Sequence, residues 1–278
     1  MADPGDDDVS AHYHRPELLE SILAGLERLG VDPQAPTPED LAPVDEFHTA
    51  GRATTLMALE TSGIQPGMHV LDAGCGIGGT ARHLAAEHGC RVTGIDLTEG
   101  YVEVARDLTA RTGLADQCSF HVGSVTDLPF DDDSFDAVVT FHVAMNIAAR
   151  PMFYGELARA VKSGGRLCVF DVIKGPGDGM RYPVPWSETG SDSFLKSRQE
   201  TCSLLEDAGF TIVGETNLRA YAQEFFRSAF EKAAQADGPP PIGLHLLTGP
   251  NAPEKFTNYA LALDDHQIEP VILQAVLR

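Results

Sequence analysis

Short apolar runs alternate along this chain with longer segments in which apolar positions recur every three or four residues. The runs are rich in Val and Ile and predict strands; the segments between them predict amphipathic helices. Strands are expected at 68–74 (MHVLDAG), 90–97 (CRVTGIDL), 118–124 (CSFHVGS), 135–143 (FDAVVTFHV), 165–173 (GRLCVFDVI) and 209–217 (GFTIVGETN). Helices are expected at 78–88, 99–112, 152–162 and 198–208. Strand–helix alternation of this kind predicts an α/β fold, a doubly wound parallel sheet with helices on both faces. The segment IEPVILQAVLR, 268–278, reads as a seventh strand, Pro270 being compatible with a sheet edge or with a strand's beginning.

The remaining segments divide the chain. Residues 1–9 are polar, acidic and broken by Pro and Gly, as expected of a disordered tail. Residues 10–63 are too few for a typical independent domain and are expected to pack on the main domain as a helical cap. Within them, PELLESILAGLERLG (16–30) predicts an amphipathic helix between Pro16 and Gly30. VDPQAPTPEDLAP (31–43) carries four prolines and is expected to be a linker, and a second helix is expected over 50–63. The main domain, 64–278, has two lid-like insertions. One is a long Gly/Pro/Ser loop at 174–196, of the kind that often forms a lid. The other, 220–265, is helical around ADGPPPIG.

Charge narrows the partners. A formal net charge of -21 with few lysines and no Lys/Arg run repels phosphate backbones and anionic lipid, so neither nucleic acid nor a membrane surface is expected as a partner. No apolar run approaches the ~20 residues that span a bilayer. Cys75, Cys90, Cys118, Cys168 and Cys202 are odd in number and widely spaced, which predicts reduced thiols and no zinc site. With no basic region leading into an apolar core at the start, a cytoplasmic location is expected. A homodimer is left open.

The chemistry gathers at Val70-Leu71-Asp72-Ala73-Gly74-Cys75-Gly76-Ile77-Gly78-Gly79, where a strand enters a glycine loop and a helix follows. Gly74, Gly76 and Gly79 fit G-x-G-x-x-G, which alone would suit a nicotinamide dinucleotide equally well. Asp96, ending the second strand, can accept from ribose hydroxyls of either cofactor. Asp72 separates them. A carboxylate before the loop suits a cofactor with a positive amino group and opposes a pyrophosphate, with Arg82 the nearest compensating charge. Its structural alternative is a strand-end turn residue.

VLDAGCGIGG resembles motif I of class I S-adenosylmethionine-dependent methyltransferases, and GIDLTEGYVEVAR, GSVTDLPFDDDSFDAVVTFHVAMNI and ELARAVKSGGRLCVFDVI follow in that family's order. The resemblance covers 66–173 well and 198–217 more loosely. It implies a Rossmann-like sheet of seven strands, the last antiparallel. By position it implies S-adenosyl-L-methionine as cofactor, S-adenosyl-L-homocysteine as product and no metal. Asp72, Gly74, Cys75 and Gly76 would border the methionine moiety, Asp96 the ribose, Leu97 the adenine face, and Ser124 and Val125 the adenine edge. Many relatives have Asp where this chain has Ser124; a serine hydroxyl accepts more weakly from the adenine amino group, and Asp127 is an alternative acceptor.

The methyl acceptor is expected beyond the carboxyl ends of the strands. His142, at the end of the fourth strand, is a candidate general base or a residue facing the cofactor, or else a hydrogen-bonded strand-end histidine. Asn146 would orient a polar substrate or cap the next helix. VDEFHTAGRATT resembles the segment before motif I in small-molecule methyltransferases, with His48 and Arg52 as lid residues or as parts of an ordinary helix start. His12, Tyr13 and His14 are expected at the surface. Trp186, the only tryptophan, would wall the pocket or anchor its loop. His245 and Asn258 have no motif behind them. The region after the fourth strand resembles sarcosine/dimethylglycine and quinone methyltransferases. An amino-acid acceptor would use Arg52 or Arg181, and an aromatic one Met145, Phe153 and Trp186. The resemblance thus implies methyl transfer to a small molecule, on N, O or C. The alternatives are an NAD-dependent oxidoreductase using the same loop and a cofactor-binding protein without turnover.

Overall fold

All the expected strands form: β1 (His69–Ala73), β2 (Arg91–Asp96), β3 (Cys118–Val122), β4 (Phe135–Phe141), β5 (Val161–Lys174), β6 (Phe210–Asn217) and β7 (Ile268–Leu277). They build one sheet in the order β3-β2-β1-β4-β5-β7-β6. The pairs from β3 to β5 are parallel, and β7 runs antiparallel to both neighbours. The structure is a computed structural model and describes residues 12, 13, 15 and 17–278. The tail expected at 1–9 and His14 lie outside the described residues. β7 lies inside the sheet, so Pro270 marks no edge. It sits near the strand's start, one residue beyond the last β6 pair, Asn217 with Val271, where a missing N–H is tolerated.

Side chains alternate along each strand, and here both sheet faces are buried. Val70, Ala137, Val139 and Phe170 join one apolar cluster, whereas Leu71, Ala73, Val138, Leu167 and Val169 join another on the opposite face. This explains why inner strands such as β1, β4 and β7 read as nearly continuous apolar runs, whereas the edge strands β3 and β6 are half exposed. Val161 already pairs with Phe135, so β5 begins where the preceding helix was expected to continue.

Among the described residues, the cap helices with full bounds are α1 (Leu18–Arg28), α2 (Pro38–Asp45) and α3 (Arg52–Glu60), all before the sheet. α2 lies in the stretch expected to be a linker. Thr37 and Asp40 form a reciprocal capping box and Pro38 takes the first turn, where its missing N–H costs nothing; these offset Pro43 within the helix. Leu18, Ile22 and Leu26 of α1 and Leu41 and Val44 of α2 share a cluster with Ile77 and Leu108, which binds the cap to the main domain.

α4 (Gly79–His88), α5 (Glu99–Arg111), α6 (Arg150–Ala160) and α7 (Arg198–Asp207) wind between the strands. α8 (Arg219–Ala234), α9 (His245–Thr248) and α10 (Ala252–Asp264) separate β6 from β7. A fourth cluster, with Met145, Trp186, Ala222, Phe226, Tyr259 and Leu263, joins α8 and α10 to the loop after β5. Among the described residues, no helix is long and apolar enough to cross a membrane.

Candidate functional site

The turn after β1 is shaped by glycine. Gly74 has φ 82°, and a Cβ there would overlap the Val143 side chain; a Cβ on Gly76 would meet only open space. The backbone can therefore approach β4 on one side and a ligand on the other. Asp96 straps this turn to β2: its carboxylate accepts from the Gly76 N–H at 2.8 Å and from the Thr98 N–H at 2.9 Å. Asp72 is buried, and its Oδ2 has no partner. Burial above all, then the charges of Asp96 and Glu46, pushes its carboxyl up to about 7.

Asp72, Gly74, Cys75, Gly76, Asp96, Leu97, Ser124, Val125 and His142 all border one cavity. Ser124 Oγ lies 2.9 Å from Thr126 Oγ1, and Asp127 does not line the cavity. Arg82 compensates Asp72 only in part: its charge favours the ionised carboxylate but is outweighed by burial and by Asp96 and Glu46. Its guanidinium donates to the buried Asp45 carboxylate and, at 3.1 Å, to Thr109 Oγ1. The crevice thus collects Asp72, Asp96 and Glu46 on its wall while the nearby arginines are engaged elsewhere. Such a site favours a cation and disfavours a pyrophosphate.

His142 closes β4 with φ 55°. The Thr49 N–H points at its Nε2 from 3.4 Å. Burial first, and His48 second, holds its imidazole well below the ordinary histidine range, so the ring is neutral near pH 7. His48 is 5.8 Å away between ring centroids, but it is not free: its Nε2 lies 2.9 Å from Glu46 Oε2 and 2.9 Å from Thr55 Oγ1. Arg52 donates to the same Glu46 carboxylate and contacts His83 Nδ1 at 3.0 Å. Burial opposes ionisation of Glu46, yet His48, Arg52 and Thr55 together outweigh it and hold the group at about 2. His48 and Arg52 therefore line the cavity as parts of a closed network, and Arg52 offers no spare charge to a substrate carboxylate. Arg181 is exposed and outside the lining. The reading of 46–52 missed Glu46; a carboxylate two residues before a histidine and six before an arginine was the available signal.

Asn146 neither caps a helix nor has a free amide. It donates to the carbonyls of Trp186 (2.9 Å) and Asp192 (3.0 Å) and accepts from Tyr13 (3.0 Å), so it pins the loop after β5. Trp186 borders the cavity, and its indole N–H donates to Ser193 Oγ at 3.0 Å. The surface expectation for His12 and Tyr13 is overturned. Tyr13 borders the cavity, and His12 Nε2 lies 3.1 Å from the Pro185 carbonyl. Both follow from partners more than a hundred residues away, which no local pattern reveals. Met145 lines the cavity, whereas Phe153 is buried in the sheet core. His245 borders the cavity without any motif, and Asn258 donates to the Pro183 carbonyl.

The cavity has a volume of about 1590 Å³. This exceeds the roughly 300–1,000 Å³ that suits one drug-sized ligand, leaving room for a second molecule beside a cofactor. Among the described residues, no group of three or more His, Cys, Asp or Glu could hold a metal ion.

Residues 71–169 match the model of a methyltransferase domain. The methyltransferase GfsG of Streptomyces halstedii is 35% identical over 174 residues, 62% of this chain and 60% of that protein. An O-methyltransferase of Pyrenophora dematioidea is 28% identical over 244 residues, 86% of this chain and 88% of that protein. Among solved structures, the geranyl diphosphate C-methyltransferase of Streptomyces coelicolor A3(2), in complex with Mg2+, geranyl-S-thiolodiphosphate and S-adenosyl-L-homocysteine, superposes with a TM-score of 0.71 at 18% identity. That match covers 100% of this chain and 99% of the other, and carries the fold. With the strand order, the reversed β7 and the carboxylate-lined glycine turn, these matches identify residues 71–169 as a methyltransferase domain, set in a chain whose fold is similar to that of class I S-adenosylmethionine-dependent methyltransferases.

Proposed function

We propose that this chain transfers the methyl group of S-adenosylmethionine to a hydroxyl oxygen of a small molecule, with His142 taking the hydroxyl proton. The observation that carries the reading is a neutral, buried imidazole on the wall shared by the glycine turn and the rest of the cavity. The cofactor's fit rests on the orphaned Asp72 oxygen and the open space over Gly76. Asp72 would hold the cationic methionine end, Asp96 the ribose, Leu97 the adenine face, and Ser124 and Val125 its edge. When bound, the cofactor supplies an already activated methyl for in-line displacement. This chain's residues then have to align the acceptor, exclude water and remove one proton. The Thr49 contact on Nε2 is long, so a substrate hydroxyl can displace it, and the imidazole accepts the proton there.

Oxygen is favoured over nitrogen because Arg52 is engaged and leaves no cation for an amino-acid carboxylate. The relative that matches 86% of the chain is named an O-methyltransferase. The loop at 174–196 and the helices at 220–265 act as lids in this reading. All five cysteines are free, which supports a reducing, cytoplasmic setting.

The test is a screen for S-adenosylhomocysteine release across phenols, alcohols, amines and quinols. His142→Gln should lower kcat by roughly 10²–10⁴-fold and leave affinity for S-adenosylhomocysteine largely intact. Release with amines alone, or a wild-type kcat in His142→Gln, would sink the proposal.

A further inference from the structure

The cavity's second half has a composition of its own. Past His142 the wall can be traced by contact. Thr49, whose N–H faces His142, shares a hydrogen bond with the Tyr259 hydroxyl at 2.5 Å. The Tyr259 ring lies 5.8 Å from Trp186 and 5.2 Å from Phe226, and Phe226 in turn lies 5.5 Å from Phe225 and 6.0 Å from Phe230. An aromatic wall therefore begins beside the proposed base and runs out along α8.

Charge is sorted along the same path. The carboxylates that line the cavity, Asp45, Glu46, Asp72 and Asp96, belong to the cap and the cofactor turn. The stretch 219–264 lines the other half and is itself acidic, yet Glu224, Glu231, Asp237 and Glu254 all stay out of the lining. In a chain of net charge -21, this segregation leaves an apolar chamber whose one charged lining residue from that stretch, apart from the titratable His245, is the exposed Lys232. At the outer end Phe225 is 39% and Phe230 40% exposed, so apolar surface waits for cover.

We infer that the methyl acceptor is a bulky, uncharged, lipophilic alcohol or phenol, with its hydroxyl at His142 and its apolar body on the Tyr259–Phe226–Phe230 wall. This rests on the reading of His142 as the proton acceptor. Neither a cationic amine nor a carboxylate finds a buried counter-charge in the lining of this half, the buried Lys255 lying outside it and paired with Glu188, whereas an apolar body gains from every group it removes from water. Phe225, Phe226 and Phe230 then set specificity through how much apolar length they cover.

The experiment uses the full chain saturated with S-adenosylhomocysteine and the neutral dye N-phenyl-1-naphthylamine, displaced by 4-alkylphenols from methyl to hexyl. The dissociation constant should fall about three- to fourfold per methylene. Phe225→Ser with Phe230→Ser replaces side chains that are already partly exposed. That pair should flatten the series and weaken hexylphenol by about tenfold or more, with p-cresol and S-adenosylhomocysteine binding unchanged. A series that is flat in the wild type, an unaltered series in the variant, or a preference for 4-hydroxybenzoate or tyramine over hexylphenol would overturn the inference. The two ideas fail separately. A flat series with methyl transfer to p-cresol removes only the lipophilic acceptor, whereas a steep series without transfer to any hydroxyl removes the role of His142.

Discussion

Asp72 is a carboxylate that its surroundings favour protonated, because burial and two neighbouring carboxylates raise it from the ordinary 3.8 to about 7. A raised carboxyl favours the folded state below about pH 4 and loses that contribution as pH climbs through 7. A bound cation reverses the preference and drives the group to ionise. Affinity for S-adenosylmethionine should therefore rise from pH 6 to pH 8, with uptake of cofactor releasing up to one proton near neutrality. Calorimetry in buffers of different ionisation enthalpy measures this, and Asp72→Asn should abolish the release. Asp96→Ala should weaken the cofactor by about 10–100-fold, since hydrogen bonds to a charged group contribute about 1.5–3 kcal/mol each; an affinity like that of the wild type would remove Asp96 from the ribose. Asp72 and Asp96 are legible in the sequence because strand, glycine turn and helix are contiguous there. Tyr13, Tyr259 and Phe230 are not, because their places depend on partners far along the chain.

Among the elements, α2 and α4 are joined by the fully buried Asp45–Arg82 pair. Burial raises the Asp45 carboxyl to about 6 against the pull of Arg82, so the partner is what makes the buried charge tolerable. Arg82→Ala should cost about 3–5 kcal/mol of stability, read as a shift of the denaturation midpoint, and Arg82→Met should recover part of it. A loss within experimental error would show the cap to be held by its apolar contacts alone. Inner strands such as β1, β4 and β7 were legible because both their faces are covered and each run is mostly apolar, whereas the edge strands β3 and β6 were legible from shorter apolar stretches with exposed polar positions. α2 was not, because its four-proline neighbourhood argues for a linker until Thr37 and Asp40 are recognised as a capping box. α8 shows a different limit: its apolar face marks a helix, but whether that face meets a core or a cavity is decided by tertiary packing.

For the whole molecule, cofactor binding and folding are linked. At a hundred times its dissociation constant a ligand adds about 2.7 kcal/mol, worth roughly 5–10 °C for a chain of this size. S-adenosylhomocysteine should produce such a rise in Tm and NADH none; a rise with NADH would contradict the exclusion of a pyrophosphate by the carboxylates around the glycine turn. Net charge is informative at this scale, since it argues against polyanionic partners, but it conceals the sorting of charge away from the chamber.

The reversed strand has a consequence for how the molecule is made. β6 joins the sheet only through β7, and β7 follows it in the chain after three intervening helices. While the ribosome is still delivering residues 218–267, β5 presents one open border and β6 has nothing to pair with. Nascent chains at that stage expose strand edges that invite neighbours on the same polysome to pair. The ten residues of β7 close both gaps at once, so translation speed over the codons for residues 218–277 should govern the yield of folded protein.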